Sequence, residues 1–274
     1  MKALLFTLFV TTSFVHFSLA QIIGKSFGAQ ATAMGETAIV YPHAFTALSN
    51  PALLPQNKNK QLALFQEIPF LQKDLSTVAT SYHQTIHQVS ISPCLVQFGN
   101  AYFKQHILAL GLAQKLSKHA QMGVSLGIIS TSVLHDTRNW QSFLLVGTAF
   151  QAMKRVNLGS NFSWVQTERK AENQQHLLIG YSFGALVQLD SAITWTIAYQ
   201  SNNLHDAQIG TGMSYTFSPN FSMQFGCVFP EVSPSLNVCY VFKNLQLHIG
   251  FGLNRNLGTS PFSELSIDFL SPKK

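Results

Sequence analysis

"LQLHIGFGLN", Leu245 to Asn254, alternates almost without fault. Leu245, Leu247, Ile249, Phe251 and Leu253 share one face; Gln246, His248, Gly250, Gly252 and Asn254 share the other. A period of two is the signature of a β-strand with one apolar side. What that side touches decides the fold, since a second protein sheet and lipid would both accept it.

The pattern recurs along the chain. In "GVSLGIIS", Val124, Leu126 and Ile128 oppose Gly123, Ser125 and Gly127; in "VNLGSNFSW", Val156, Leu158, Phe162 and Trp164 oppose Asn157, Gly159, Asn161 and Ser163. In "IGTGMSYTF", Ile209, Met213, Tyr215 and Phe217 oppose Gly210, Gly212, Ser214 and Thr216. The second face is small or polar rather than charged. About fourteen such segments follow Gln61, near 62–69, 75–84, 87–98, 105–115, 120–130, 140–151, 155–166, 174–184, 191–201, 207–217, 221–229, 235–242, 245–254 and 262–270. Most run ~9 to 12 residues, the length of a tilted membrane-crossing strand, where globular strands average nearer ~5 to 6.

Composition points the same way. Only 10% of the 274 residues are charged, against ~25% in a soluble domain, and no later window offers an uninterrupted helical span. The net charge of +6 is spread through turns, without the basic run that nucleic-acid binding favours. Aromatic residues gather near strand ends: Trp140, Trp164, Tyr199 and Phe229 toward one rim, Phe150, Tyr215, Phe217 and Phe242 toward the other, as interfacial girdles do. Short connections ("QTI", "KLSKHA", "AMKR", "GALVQLD", "SPN", "KN") alternate with longer, more polar ones ("TSVLHDTRN", "TERKAEN", "SNNLHD", "PEVSPS", "NRNLGTSP"). These features predict an all-β fold, a transmembrane antiparallel barrel of about 14 strands over 61–274. A periplasmic β-sandwich, whose inner faces alternate too, is the competing architecture.

Two segments precede the strands. Residues 1–20, "MKALLFTLFVTTSFVHFSLA", combine Lys2, an apolar run to about Val15 and a Ser18-Leu19-Ala20 cleavage site, so they read as a secretory signal peptide. Residues 21–60 lack a sustained period of two, are rich in Ala and Gly, and contain Pro42, Pro51 and Pro55. They are too short to bury a core of their own and must be enclosed by something else.

"SFGAQATAMGETAIV", followed by "HAFTALSNPALLP", resembles the amino-terminal signature of FadL-like outer-membrane barrels, especially the PorV/PorQ-type proteins of Bacteroidetes. Gly28, Ala29, Ala33, Met34 and Gly35 match its first element, and Asn50, Pro51 and Ala52 its second. The tail "NRNLGTSPFSELSIDF" resembles the closing hairpin of such proteins. The resemblance implies fourteen strands, an outer-membrane location and a 21–60 segment folded into the lumen as a hatch or plug. Relatives usually carry a second glycine where Glu36 stands and acidic residues where Pro42 and His43 stand.

Three functions are compatible with that picture. The first is binding or passage of a small hydrophobic molecule, with Met34, Gly35, Phe45, Leu48, Asn50, Pro51 and Ala52 shaping the hatch. The second, implied by the PorV/PorQ likeness, is an accessory role beside type IX secretion components. The third is an orphan structural barrel. Outer-membrane lipid is the expected partner in all three, and nucleic acid in none. No catalytic motif is evident: the two G-x-S-x-G matches, Gly123 to Gly127 and Gly180 to Gly184, fall inside alternating strand segments and not at a strand-to-helix elbow, although scattered Ser and His residues leave an esterase formally open. Of the ten histidines, His83 and His87 are four apart across an expected turn with no companion ligand, so no metal or cofactor is expected. The three cysteines form no complete disulfide set. Cys227 falls with Phe225 and Phe229, and Cys239 with Asn237, on opposite faces.

Overall fold

The computed structural model describes residues 26–57, 59–133, 137–169, 174–203 and 206–269. The signal peptide expected over 1–20 lies outside them. Fourteen strands form one closed antiparallel barrel: β1 (Lys60–Glu67), β2 (Thr77–Ile86), β3 (Val89–Gly99), β4 (Phe103–Lys115), β5 (Ala120–Val133), β6 (Thr137–Met153) and β7 (Val156–Arg169) make one half. The other half is β8 (Gln174–Gln188), β9 (Ile193–Asn202), β10 (Gln208–Ser218), β11 (Phe221–Phe229), β12 (Ser233–Phe242), β13 (Leu245–Asn254) and β14 (Gly258–Phe269). Each strand pairs with its sequence neighbours, and β1 closes the cylinder on β14 with Lys60 opposite Phe269. Closure leaves no sheet edge, so the ladder satisfies backbone groups without water.

The greasy stripe of β13 faces outward. Leu247 is 40% and Ile249 59% exposed, while His248 and Gly250 between them are buried. Register carries the stripe around the wall: Phe251, Leu236, Phe225, Met213, Trp195, Val187 and Val156 lie directly opposite one another on seven successive strands. An apolar surface this continuous has no place in water, where contiguous patches seldom exceed a few hundred Å² (~300–600). Hydrocarbon is its solvent, and the sandwich alternative is excluded by closure. The expected girdle residues, Trp140, Trp164, Tyr199, Phe229, Phe150, Tyr215, Phe217 and Phe242, all stand on this outer face.

The connections differ from expectation. On the rim where β1 begins and β14 ends, turns such as His87–Gln88, Lys154–Arg155 and Lys243–Asn244 are tight. On the opposite rim the expected larger loops are mostly strand: β5 continues to Val133, β6 begins at Thr137, and β7 and β8 approach through Arg169 and Gln174. There, polar residues alternate and pair as readily as apolar ones, with Ser132 opposite Arg138 and Glu168 opposite Gln175. Polarity marks the end of the lipid-covered zone, and the ladder outlasts it.

The core is the lumen. Residues 26–57 fill it with a short helix, α1 (Ala29–Ala33), and 3-10 turns at Thr46–Leu48 and Pro51–Gln56. Phe27, Ala29, Ala33, Ala44 and Phe45 pack with Phe65, Val96, Ile107, Ile129 and Phe262 of the wall. No helix among the described residues is long and apolar enough to cross a membrane; the strands do the crossing.

Candidate functional site: the lumen hatch and the cavity above it

The small inner face does two jobs. Glycines give the hatch backbone a place to lie. A Cβ at Gly123 would sit 2.5 Å from the Pro51 carbonyl carbon, and one at Gly184 would sit 2.7 Å from Ile39 Cγ2. At Gly210 and Gly226 it would overlap the Gly35 backbone, and at Gly212 that of Met34. Gly35 itself has φ +63 and would carry a Cβ 2.7 Å from the Cys227 oxygen, so both partners must lack a side chain. Glu36 follows at φ +59, in the left-handed region that glycine adopts more readily than glutamate.

Hydroxyls and amides supply bonds. The hatch has little regular structure, so its carbonyls need partners from the wall. Ser81 Oγ donates to Ala44 O (2.6 Å), Ser125 Oγ to Ala47 O (2.6 Å), Ser235 Oγ to Thr32 O (2.9 Å) and Gln200 Nε2 to Glu36 O (2.9 Å). Asn161 donates to Ser49 O, and His83 Nε2 to Asn57 O at 2.9 Å. Gly28, the residue before α1, has no side chain to cap it; Glu264 of β14 accepts the Ala29 N–H at 2.7 Å instead. The hatch is therefore fastened around most of the circumference.

Asn50 is the centre of that fastening. Fully buried, it donates through Nδ2 to Ile39 O (2.7 Å) and to Thr148 O of β6 (3.1 Å), while Oδ1 accepts from Ala52 N (3.1 Å). The last bond caps the 3-10 turn opened by Pro51. Nearby, His43 Nδ1 accepts from Phe45 N (3.2 Å), so the proton sits on Nε2, which donates to Ser49 Oγ (2.9 Å). Burial pushes this imidazole down to about 3 and keeps it neutral.

Of the residues expected to shape the hatch, Met34, Gly35, Asn50, Pro51 and Ala52 lie at the hatch–wall seam, and Phe45 packs edge-on against Phe65 with ring centroids 5.9 Å apart. Only Leu48 borders open space. That space is a cavity of about 80 Å³ toward the rim opposite the start of β1 and the end of β14, between the hatch and β4–β9. Ile107, Ile129, Phe143, Leu145 and Val165 form an apolar wall, and Asn161, Ser163, Ser182 and Gln200 a polar one. The Phe143 ring reaches this position because it lies where a Gly127 side chain would be. A second, polar cavity of about 190 Å³, bordered by Gln56, Lys118, His119 and Gln151, opens on the other rim.

Leu48 and Phe143, which border this cavity, also pack against Ala47, Leu54, Cys94, Ala109 and Ala113. Cys94 follows Pro93, and here the wall is incomplete: β2 and β3 pair at Ser81–Cys94 and again at Gln84–Ile91, but Tyr82 and His83 are unpaired with Pro93 and Ser92. Proline has no N–H to give the ladder. Among the described residues, no group of three or more His, Cys, Asp or Glu side chains is placed to hold a metal ion, and the three cysteines are free.

The wall residues of the cavity were not singled out from sequence. Their signal is a local failure of alternation: Ile107-Leu108, Ile128-Ile129, Phe143-Leu144-Leu145-Val146 and Trp164-Val165 are apolar on both faces.

No known family's sequence profile matches the chain, and no curated protein matches it in sequence. Solved structures do match in fold. The CymD monoaromatic hydrocarbon channel superposes with a TM-score of 0.67 at 11% identity, covering 91% of this chain and 99% of that one. The Pseudomonas putida toluene transporter TodX gives 0.63 at 10%, covering 88% and 96%, and a Pseudomonas aeruginosa FadL homologue 0.57 at 9%, covering 88% and 97%. The chain thus has the fold of FadL-type outer-membrane β-barrels.

Proposed function

We propose that this barrel sits in the bacterial outer membrane and binds small hydrophobic molecules in the cavity beside Leu48, passing them inward when the hatch yields. The observation that carries this reading is an apolar stretch of the lumen wall, Ile107, Ile129, Phe143 and Val165, that borders open space. Other large apolar side chains of the inner face, such as Phe65, Val96 and Phe262, are covered by the hatch. The fold neighbours named as channels for toluene and other monoaromatic hydrocarbons support the same ligand class.

A route follows from the packing. Leu48 and Phe143 stand between the cavity and the apolar cluster around Cys94, which backs the unpaired stretch of β2 and β3. A hydrophobic ligand that displaces Leu48 would move from one apolar surface to the next and reach the stretch of wall where β2 and β3 are unpaired without crossing water. The cavity is about half the ~150 Å³ that admits benzene in an engineered apolar site, so an aromatic ring requires Leu48 or Phe143 to swing aside. The accessory role in type IX secretion draws no support from the comparisons.

The test is toluene binding to the purified barrel in lipid nanodiscs, measured with the wild type and with Leu48→Trp. One saturable site, lost on filling the space beside Leu48, is the expected result. Absence of a saturable site in the wild type, or binding indifferent to the tryptophan, would remove the basis for the proposal.

A further inference from the structure

We propose that the cavity prefers small neutral hydrophobes bearing one oxygen function, a hydroxyl or a carbonyl, over plain hydrocarbons. This rests on the ligand-binding reading above and adds a selectivity to it. The basis is the second wall. Asn161, Ser182 and Gln200 are directly opposed on β7, β8 and β9, forming a row of polar side chains across three strands. Ser163 lies one pleat further toward the rim, opposite Gly180. All four border the cavity, facing the apolar wall that Ile107, Ile129 and Phe143 build from β4–β6.

The hydrogen-bonding capacity of this row is only partly used. Asn161 Nδ2 and Gln200 Nε2 are committed to the hatch carbonyls of Ser49 and Glu36. That commitment fixes both amides and leaves Oδ1 and Oε1 as acceptors. The hydroxyls of Ser163 and Ser182 can each donate and accept, and among the described residues neither has a protein partner. Water serves them while the cavity is wet. A hydrocarbon that displaces that water leaves them unpaired, whereas a phenol or ketone replaces the lost bond.

The oxygen function should be uncharged. Among the described residues that line the cavity there is no lysine, arginine or histidine, so a carboxylate ligand would lose its hydration with no lining cation to replace it.

Phenol and toluene make a near-isosteric pair, hydroxyl for methyl, and benzoate supplies the anion. Their dissociation constants, referred to free aqueous ligand, are to be measured for the barrel in nanodiscs and for the double variant Ser163→Ala/Ser182→Ala. One replaced hydrogen bond corresponds to about 3- to 10-fold in affinity, so phenol should bind tighter than toluene by about that factor, with benzoate weakest. The phenol/toluene ratio should fall toward one in the double variant. Toluene binding as tightly as phenol, benzoate binding tighter than either, or a ratio untouched by the double variant would each overturn the selectivity. Failure of both phenol and toluene to bind at all would instead overturn the ligand-binding reading on which it stands.

Discussion

Replacing Asn50 with alanine should release the hatch while leaving the barrel closed. The substitution removes three hydrogen bonds, to Ile39 O, Thr148 O and Ala52 N, from a side chain with no access to solvent. At roughly 1 kcal/mol for each, and more for any buried group left unpaired, the docked hatch loses about 2–4 kcal/mol. That is ~30- to 1,000-fold in the ratio of docked to undocked hatch. The barrel ladder uses none of these side-chain bonds, so its own stability should hold. Hydrogen exchange of the folded protein in nanodiscs separates the two. Amides at Leu48, Asn50, Leu53 and Asn57, each bonded within the hatch, should exchange faster by that factor, while strand amides of β10–β13 stay protected. Unchanged hatch exchange would mean that glycine packing alone holds the segment. Equal loss of protection in hatch and strands would mean that the two form one cooperative unit, and would refute a hatch that moves within a fixed wall.

Three further outcomes follow from single features. Gly210→Val places carbon where the Gly35 carbonyl lies; it should undock the α1 end of the hatch, read as proteolytic cleavage within residues 26–40 in an otherwise intact barrel. His43 is neutral when docked, held down to about 3 by burial, against a free value of about 6.5. The undocked hatch therefore takes up the proton first, so docking is at full strength above about pH 6.5 and weakens as pH falls toward 3, by about 2 kcal/mol at pH 5. Hatch exchange corrected for intrinsic rates should show this slope, and His43→Gln should flatten it. Ile249→Lys puts a charge on the most outward position of β13 and should cost about 2–4 kcal/mol if that position lies near the bilayer midplane. Urea unfolding from lipid vesicles would measure the loss, and a change below ~0.5 kcal/mol would place Ile249 outside the hydrocarbon.

Much of the fold was legible because a half-buried strand writes its period into the sequence. The stripe of β13, Leu247 to Leu253, needed only a choice of solvent, and closure supplies it. Strand ends were less legible: residues near 131–139 were expected as loop because Thr131, Ser132, Thr137 and Asn139 are polar, yet the ladder is built by the backbone, which polar residues extend as well as apolar ones do. The hatch has no period to read. Its place in the lumen came from the likeness of the 28–35 and 50–52 motifs, not from pattern. The cavity was missed for a different reason. Residues such as Ile129 and Phe143 sit inside runs that are apolar on both faces, and a run of that kind does not say which side chains line a space until the hatch is seen to stop at Leu48. The double role of the small face, with glycines for approach and serines and amides for hatch carbonyls, likewise needs both surfaces at once.

The central claim, that lipid is the solvent of the outer face, can be read directly from the three native tryptophans. Trp140, Trp164 and Trp195 are 51%, 43% and 38% exposed on the outside of the cylinder, and none lines the lumen cavities. In bilayers of phosphatidylcholine brominated along its acyl chains, their fluorescence should be strongly quenched, with little quenching by aqueous iodide. Emission indifferent to the brominated chains and quenched by iodide would contradict the account.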